Sequence, residues 1–270
     1  MCAIEHDRVD IVGILMDAVD ENGNTCLSLA AQNGDLATVK KLVNAKASLN
    51  VLNNRGLDAL LAAIDAEQHS VVQFLANEGG NTAVSAAAKR GDAELLKLLV
   101  AARAHLDLKN TDGATPLSLA VAHGHTDAAK VLIDAGVHLG TRDSAGLTPL
   151  ATAAVNDHID VLKVLIAAKA SLHTVDVKGV NALMLAADHG RVAAVGALVY
   201  AGADIDACDE EGLTALARAA KAGHVGVVKT LASAKASVDK QNQKGETALV
   251  LASAGGHLDV VKALAAAGAR

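Results

Sequence analysis

From residue 115 onward two kinds of apolar segment alternate along the chain. One is short and built of small residues, as in TPLSLAVAHG (115–124); the other is amphipathic, as in HTDAAKVLIDA (125–135) and HLDVVKALAAA (257–267). In the amphipathic segments apolar side chains recur at helical spacing, which predicts a helix with one buried face. In the short segments a Thr suited to N-capping, a Pro tolerated at the first helical position and small apolar residues predict a brief first helix. A glycine break separates the two. Each unit thus reads turn, helix, break, helix, and no unit can bury its apolar face alone, so neighbours must stack.

The units repeat. Aligned on one alanine of the first helix, the anchors are Ala3, Ala30, Ala63, Ala87, Ala120, Ala153, Ala186, Ala219 and Ala252, spaced 27, 33 and 24 residues and then 33 five times running. Seven residues before seven of these anchors stands a glycine, at 23, 56, 113, 146, 179, 212 and 245, in contexts such as TDG and DEEG that predict tight hairpin tips with positive φ. The predicted organisation is a partial repeat at 1–19, two repeats at 20–81, a repeat without its hairpin at 82–107 and five regular repeats at 108–270, in one continuous solenoid.

The stretch DGATPLSLAVAHGHTDAAKVLIDAGVHL (112–139) resembles the ankyrin repeat, whose pattern runs G-x-T-P-L-H-x-A-A-x-x-G-H, and the resemblance covers nearly the whole chain. Pro is kept only at 116 and 149, and the mid-block His of the family pattern is replaced throughout, for instance by Ser28, Ser118 and Met184. The resemblance implies an all-α repeat solenoid of helix-turn-helix units with projecting hairpin loops. It further implies partner proteins lying across the hairpin tips and the concave, exposed side of the first helices. Position by position, the implied tip residues are Glu21, Asn22, Asn54, Arg55, Thr111, Asp112, Ser144, Lys178, Glu210, Glu211, Gln243 and Lys244. The implied first-helix residues are Gln32, Asn33, Lys89, Arg90, His123, Asn156, Asp188, His189 and Lys221.

Composition narrows the chemistry. Apolar residues make up 51% of the chain but aromatics only 1%, so the core must be Ala, Leu and Val at close backbone approach, and a partner surface has few aromatic anchors. Net charge is −6 with acids and bases interspersed, which gives no footprint for nucleic acid. No apolar run reaches the length of a membrane span, and the first ten residues carry acids where a secretory leader would carry bases. Cys2, Cys26 and Cys208 form no CxxC pair, which reads as a reduced, intracellular and cytoplasmic setting.

Two irregularities stand out. Between Ala63 and Ala87 nine residues are missing from the projecting turn, which either shortens a surface loop or opens a notch. At the end of each second helix, Lys46, Gly79, Arg103, Gly136, Lys169, Gly202, Lys235 and Gly268 alternate between basic residue and glycine. That alternation fits duplication of a two-repeat unit, or a row of charges for an acidic partner.

His125, His158, His224 and His257 share one repeat position, which is periodicity and not a metal cluster. Lys97, Lys130, Lys163 and Lys262 each follow an acid by three residues, a helix-surface pairing. Neither a nucleophile-base constellation nor a phosphate loop stands in the required context, so catalysis, cofactors and small-molecule substrates are not expected. The chain opens inside a repeat and stops where another turn would begin, which reads as a piece of a longer protein or an array capped by a neighbour. The expected function is a protein-interaction scaffold. The alternatives are an accessory array of a larger enzyme or channel and a purely structural solenoid.

Overall fold

The computed structural model describes residues 16–49, 51–55, 57–78, 82–110 and 113–270. The described residues form sixteen α-helices and two isolated antiparallel bridges, Val19 with Thr25 and Val175 with Asn181. The chain falls into two compact units, residues 1–110 and 111–270. The first holds α1 (Cys26–Gln32), α2 (Leu36–Asn44), α3 (Ala59–Asp65), α4 (His69–Glu78), α5 (Thr82–Arg90) and α6 (Ala93–Ala101). The second holds α7 (Pro116–Ala122), α8 (Thr126–Asp134), α9 (Pro149–Val155), α10 (Ile159–Ala167), α11 (Ala182–Asp188), α12 (Val192–Tyr200), α13 (Ala215–Ala222), α14 (Val225–Ser233), α15 (Ala248–Ala254) and α16 (Leu258–Ala266).

Short first helices and amphipathic second helices alternate as the pattern predicts. The first helices start where a side chain can replace the missing helical acceptor: Thr25, Thr115, Thr148, Thr214 and Thr247 each accept the N–H three residues on, and Asp58 and Asn181 do the same where Thr is absent. Loss of the helix-starting Pro at Ala59, Ala182, Ala215 and Ala248 therefore leaves capping intact.

Within each unit first helices pack on first helices, as α1 on α3 and α9, α11, α13 and α15 in series, and second helices pack on second helices. The anchor alanines at 30, 63, 87, 120, 153, 186, 219 and 252 are all buried. Each second helix sends one leucine into the core at the same position, among them Leu42, Leu99, Leu132, Leu165, Leu198, Leu231 and Leu264. Truncating one such leucine to Ala costs about 2–5 kcal/mol.

The hairpins are built on a device that the residue pattern had not disclosed. Three residues before the glycine, an Asp or Asn folds its side chain over the turn and accepts two backbone N–H bonds. Asp20 takes those of Asn22 and Asn24, Asn53 those of Arg55 and Leu57, and Asp143 those of Ala145 and Leu147. Asp176, Asp209 and Asn242 do the same two and four residues on. The backbone N–H of Asn24, with its side chain, holds Asp20 below the usual carboxylate range.

Neighbouring tips are tied through their backbones: Asn54 N–H donates to the Asn22 carbonyl, Glu210 to Lys178 and Gln243 to Glu211, at 2.9–3.0 Å. A side chain at the tip glycine would intrude there. A Cβ on Gly212, whose φ is +79°, would lie 2.9 Å from the Gln243 nitrogen. Ala145 and Val177, the corresponding pair one step earlier, make no such bond, and the Arg142 guanidinium instead donates to the Val175 carbonyl.

The second irregularity of the sequence has a structural counterpart, while residues 79–81, where the missing hairpin would stand, lie outside the described residues. At the ends of the second helices Lys46, Arg103, Lys169 and Lys235 adopt φ of 66°, 56°, 62° and 66°, the left-handed conformation that Gly136, Gly202 and Gly268 adopt at the alternate repeats. The left-handed side chain costs about 1 kcal/mol. A cation at a helix C-terminus returns about 0.3–1 kcal/mol, so the replacement is nearly self-compensating. Gly79 and the expected partial repeat up to residue 15 lie outside the described residues.

Candidate protein-interaction surface

The implied contact residues sit where short first helices end and hairpins turn, because neither place offers an apolar environment to a side chain. Glu21, Asn22, Asn54, Arg55, Ser144, Lys178, Glu210, Glu211, Gln243 and Lys244 are exposed at hairpin tips. Gln32, Asn33, Lys89, Arg90, His123, Asn156, His189 and Lys221 are exposed at first-helix ends, and Asp188 is half-buried. Thr111 and Asp112 lie outside the described residues. Some of these side chains are turned back onto the protein. The Nδ1 atoms of His123 and His189 lie 2.9 Å from the carbonyls of Leu119 and Leu185 one helical turn earlier.

Several of these residues come together in the second unit. A groove of about 550 Å³ is lined by Lys178, Asp188, Glu211, Arg218 and Lys221 over an apolar floor of Val180, Leu185 and Leu213. A second groove of about 270 Å³ adjoins it, sharing Glu211, Leu213 and Lys221 and adding Gln243, Lys244 and Leu251. Lys178, Lys221 and Lys244 enter no ion pair among the described residues.

At the head of the larger groove lies an ionic network. Arg218 on α13 meets Asp188 of the preceding repeat at 2.5 Å through Nη1. It also donates through Nε, at 3.0 Å, and through Nη2 to Asp209, the carboxylate that folds its own hairpin. The Asp209 side chain is 1% exposed and that of Arg218 16%. Burial by itself disfavours the guanidinium charge, but the bond to Asp209 and the two carboxylate charges outweigh it and raise the Arg218 pKa above the ordinary value. Arg218 was not among the implied contact residues. Its signal was nonetheless in the pattern: Leu29, Leu119, Leu185 and Leu251 occupy the same repeat position.

The recurrent histidines also acquire a role. The Nε2 atoms of His158, His224 and His257 lie 3.2, 2.8 and 3.1 Å from carbonyls at the end of the preceding repeat's first helix, 36 residues back. Arg191, in the same position, reaches the Val155 carbonyl at 2.8 Å. These are orphan carbonyls of a helix C-terminus, so the row joins repeats. Of the expected surface pairs, Lys97 with Glu94, Lys163 with Asp160 and Lys262 with Asp259 lie within 2.7–4.0 Å, while Lys130 and Asp127 do not pair among the described residues. Among the described residues no helix is long and apolar enough to cross a membrane.

A family model described as ankyrin repeats matches residues 1–85, 84–176, 136–209 and 183–270. No curated protein matches. An ankyrin repeat domain from Acinetobacter baumannii AYE is 27% identical with a TM-score of 0.64, over 70% of this chain and 99% of that one. The ankyrin repeat protein EF0377 is 29% identical with a TM-score of 0.62, over 68% of this chain and 96% of its own. The ankyrin repeat domain of Bcl-3, a member of the IkappaB protein family, is 26% identical with a TM-score of 0.59, over 91% of this chain and all of that one. Stacked helix pairs, glycine-tipped hairpins and a family match along nearly its whole length place this chain in the ankyrin repeat family.

Proposed function

We propose that this chain is a non-enzymatic scaffold that binds partner proteins across its hairpin tips and the exposed faces of its first helices, with residues 176–251 as its best-formed contact surface. Ankyrin repeats generally mediate protein-protein interaction. The observation that carries the assignment to these residues is the pair of adjoining grooves, where Lys178, Lys221 and Lys244 surround a floor of Val180, Leu185, Leu213 and Leu251. Three lysines that enter no ion pair among the described residues suit carboxylates of an extended segment. The scarcity of aromatics in the chain predicts many modest contacts and no dominant anchor.

The test is affinity capture followed by quantitative binding to whatever is captured. The parent chain is compared with a variant carrying Lys178→Ala, Lys221→Ala and Lys244→Ala, and with a control carrying Lys130→Ala, Lys163→Ala and Lys229→Ala. Loss of a partner from the first variant alone is the expected result. A partner retained by both would remove these grooves from the interface.

A further inference from the structure

The nine residues missing before Thr82 leave more than a shortened loop. In the first unit a cleft of about 390 Å³ opens between α3 and α5, lined by Leu52, Leu60, Leu61, Ala83, Ala86 and Arg90 among others. Leu52 is 61% exposed there, although large apolar side chains are elsewhere mostly buried. Unlike the polar grooves of the second unit, this lining is predominantly leucine and alanine.

The rest of the chain indicates what fits such a place. The residue after the tip glycine is apolar at 57, 114, 147, 180 and 213, and Val180 and Leu213 are turned inward at 5% and 4% exposed, whereas Asn24 and Glu246 are polar. At three tips the carbonyl before that glycine accepts a backbone N–H from the following tip, as Asn22 does from Asn54, Lys178 from Glu210 and Glu211 from Gln243, while that of Ala145 does not. With the following hairpin deleted, the corresponding carbonyl, that of Arg55, meets no N–H among the described residues. The cleft therefore lacks an apolar side chain and a backbone donor of the kind that the 209–213 hairpin supplies through Leu213 and Glu210. At its rim Arg90 is exposed and pairs with no acid among the described residues.

We propose that this cleft is a second, independent docking site, which receives an extended segment of a partner protein in place of the missing hairpin. The segment places a branched apolar side chain against Leu60 and Leu61, gives a backbone N–H to the Arg55 carbonyl and offers a carboxylate to Arg90. This is recognition by strand addition, in which main-chain bonds hold the segment and one pocket selects the side chain.

The probe is a fluorescently labelled peptide, TRDSAGLTP, copying residues 141–149 of this chain, with Leu as its apolar residue and one Asp. Fluorescence anisotropy against the full chain should give saturable binding. It should weaken about tenfold or more with Leu61→Glu and with Arg90→Glu, and with a peptide in which that Leu is Asp. It should be unchanged by Lys163→Ala on α10 of the second unit. Because Leu61→Glu can unfold its repeat, a second variant inserts a regular nine-residue hairpin between Asn81 and Thr82. It should raise Tm and abolish peptide binding, since the chain then fills its own cleft. No saturable binding at millimolar peptide, or equal binding by the insertion variant, overturns the proposal. A concentration-dependent dimer in sedimentation that the peptide dissolves would put a second copy of the chain in the cleft and overturn the foreign partner.

Discussion

One repeat position is used in opposite ways by the two units. Ahead of the second helices the first unit has Asp35, Gln68 and Asp92; the carboxylates of Asp35 and Asp92 accept the N–H of Thr38 and Leu95 and so cap their own helices, and Gln68 donates to the Ala66 carbonyl of its own repeat. The second unit has His158, Arg191, His224 and His257 there; none caps its own helix, and each reaches back to a carbonyl of the repeat before it. The ion pairs differ in the same sense. Arg55 with Asp65 is exposed and closes within one repeat, whereas Arg218 is half-buried between Asp209 of its own repeat and Asp188 of the previous one. A helix cap and a hydrogen bond are each worth about 1 kcal/mol. Spent inside a repeat, that energy stabilises the repeat; spent between repeats, it adds to the nearest-neighbour coupling that makes an array unfold as one body. The division is not complete, since the tips at Asn22 and Asn54 are joined in the first unit too.

The largest effect is expected at Arg218. Arg218→Ala strands the buried Asp209 carboxylate and should lower stability by about 3 kcal/mol in urea unfolding. Combining Arg218→Leu with Asp209→Asn restores the residue types found at Leu251 and Asn242 one repeat later, and should bring stability back to within about 1 kcal/mol of the parent. If the double variant is as weak as Arg218→Ala, the network does more than offset its own burial.

Next come the tips. Gly212→Ala combines a left-handed alanine with a Cβ 2.9 Å from the Gln243 nitrogen, and should cost about 2–3 kcal/mol. Gly245→Ala has the same backbone strain and no atom within 4 Å, and should cost only about 1 kcal/mol. Equal losses in thermal unfolding would show that tip-to-tip contact contributes nothing.

His224→Asp trades a bond between repeats for a cap, so the midpoint should move by less than about 1 kcal/mol while cooperativity drops, read as a smaller urea m-value. Asp92→His should lower stability by about 1 kcal/mol, because it removes the cap of α6. The smallest change is expected at the left-handed lysines. Lys169→Gly and Lys235→Gly should each raise stability by up to about 0.7 kcal/mol, the strain relieved less the helix-end attraction lost.

Much of this was legible beforehand. The glycines at 113, 146, 179, 212 and 245 announced positive φ and have it, and the alternation of bases with glycine proved to be a single backbone conformation met by two residue types. The tip and first-helix positions were legible as exposed places, since both follow from where a repeat turns. The grooves were not, because a groove needs two neighbours at a particular stagger: Lys178, Lys221 and Lys244 are far apart along the chain and meet only through stacking. Arg218 could have been noticed as the one charge in a column of Leu, Ala and Thr, but its two acids are 9 and 30 residues away and no spacing rule pairs them.

The sequence by itself determined the repeat: its period, its two helices, its Thr caps and its glycine tips. All of these rest on contacts within a few residues, which propensity and periodicity encode directly. Tertiary structure alone decided what each repeat does for its neighbour, which carbonyl a histidine meets, which carboxylates hold an arginine, and what a missing hairpin leaves uncovered. Those outcomes depend on the offset between stacked helices. Identical local sequence can be reached by different partners in the next layer, and only packing fixes which one arrives.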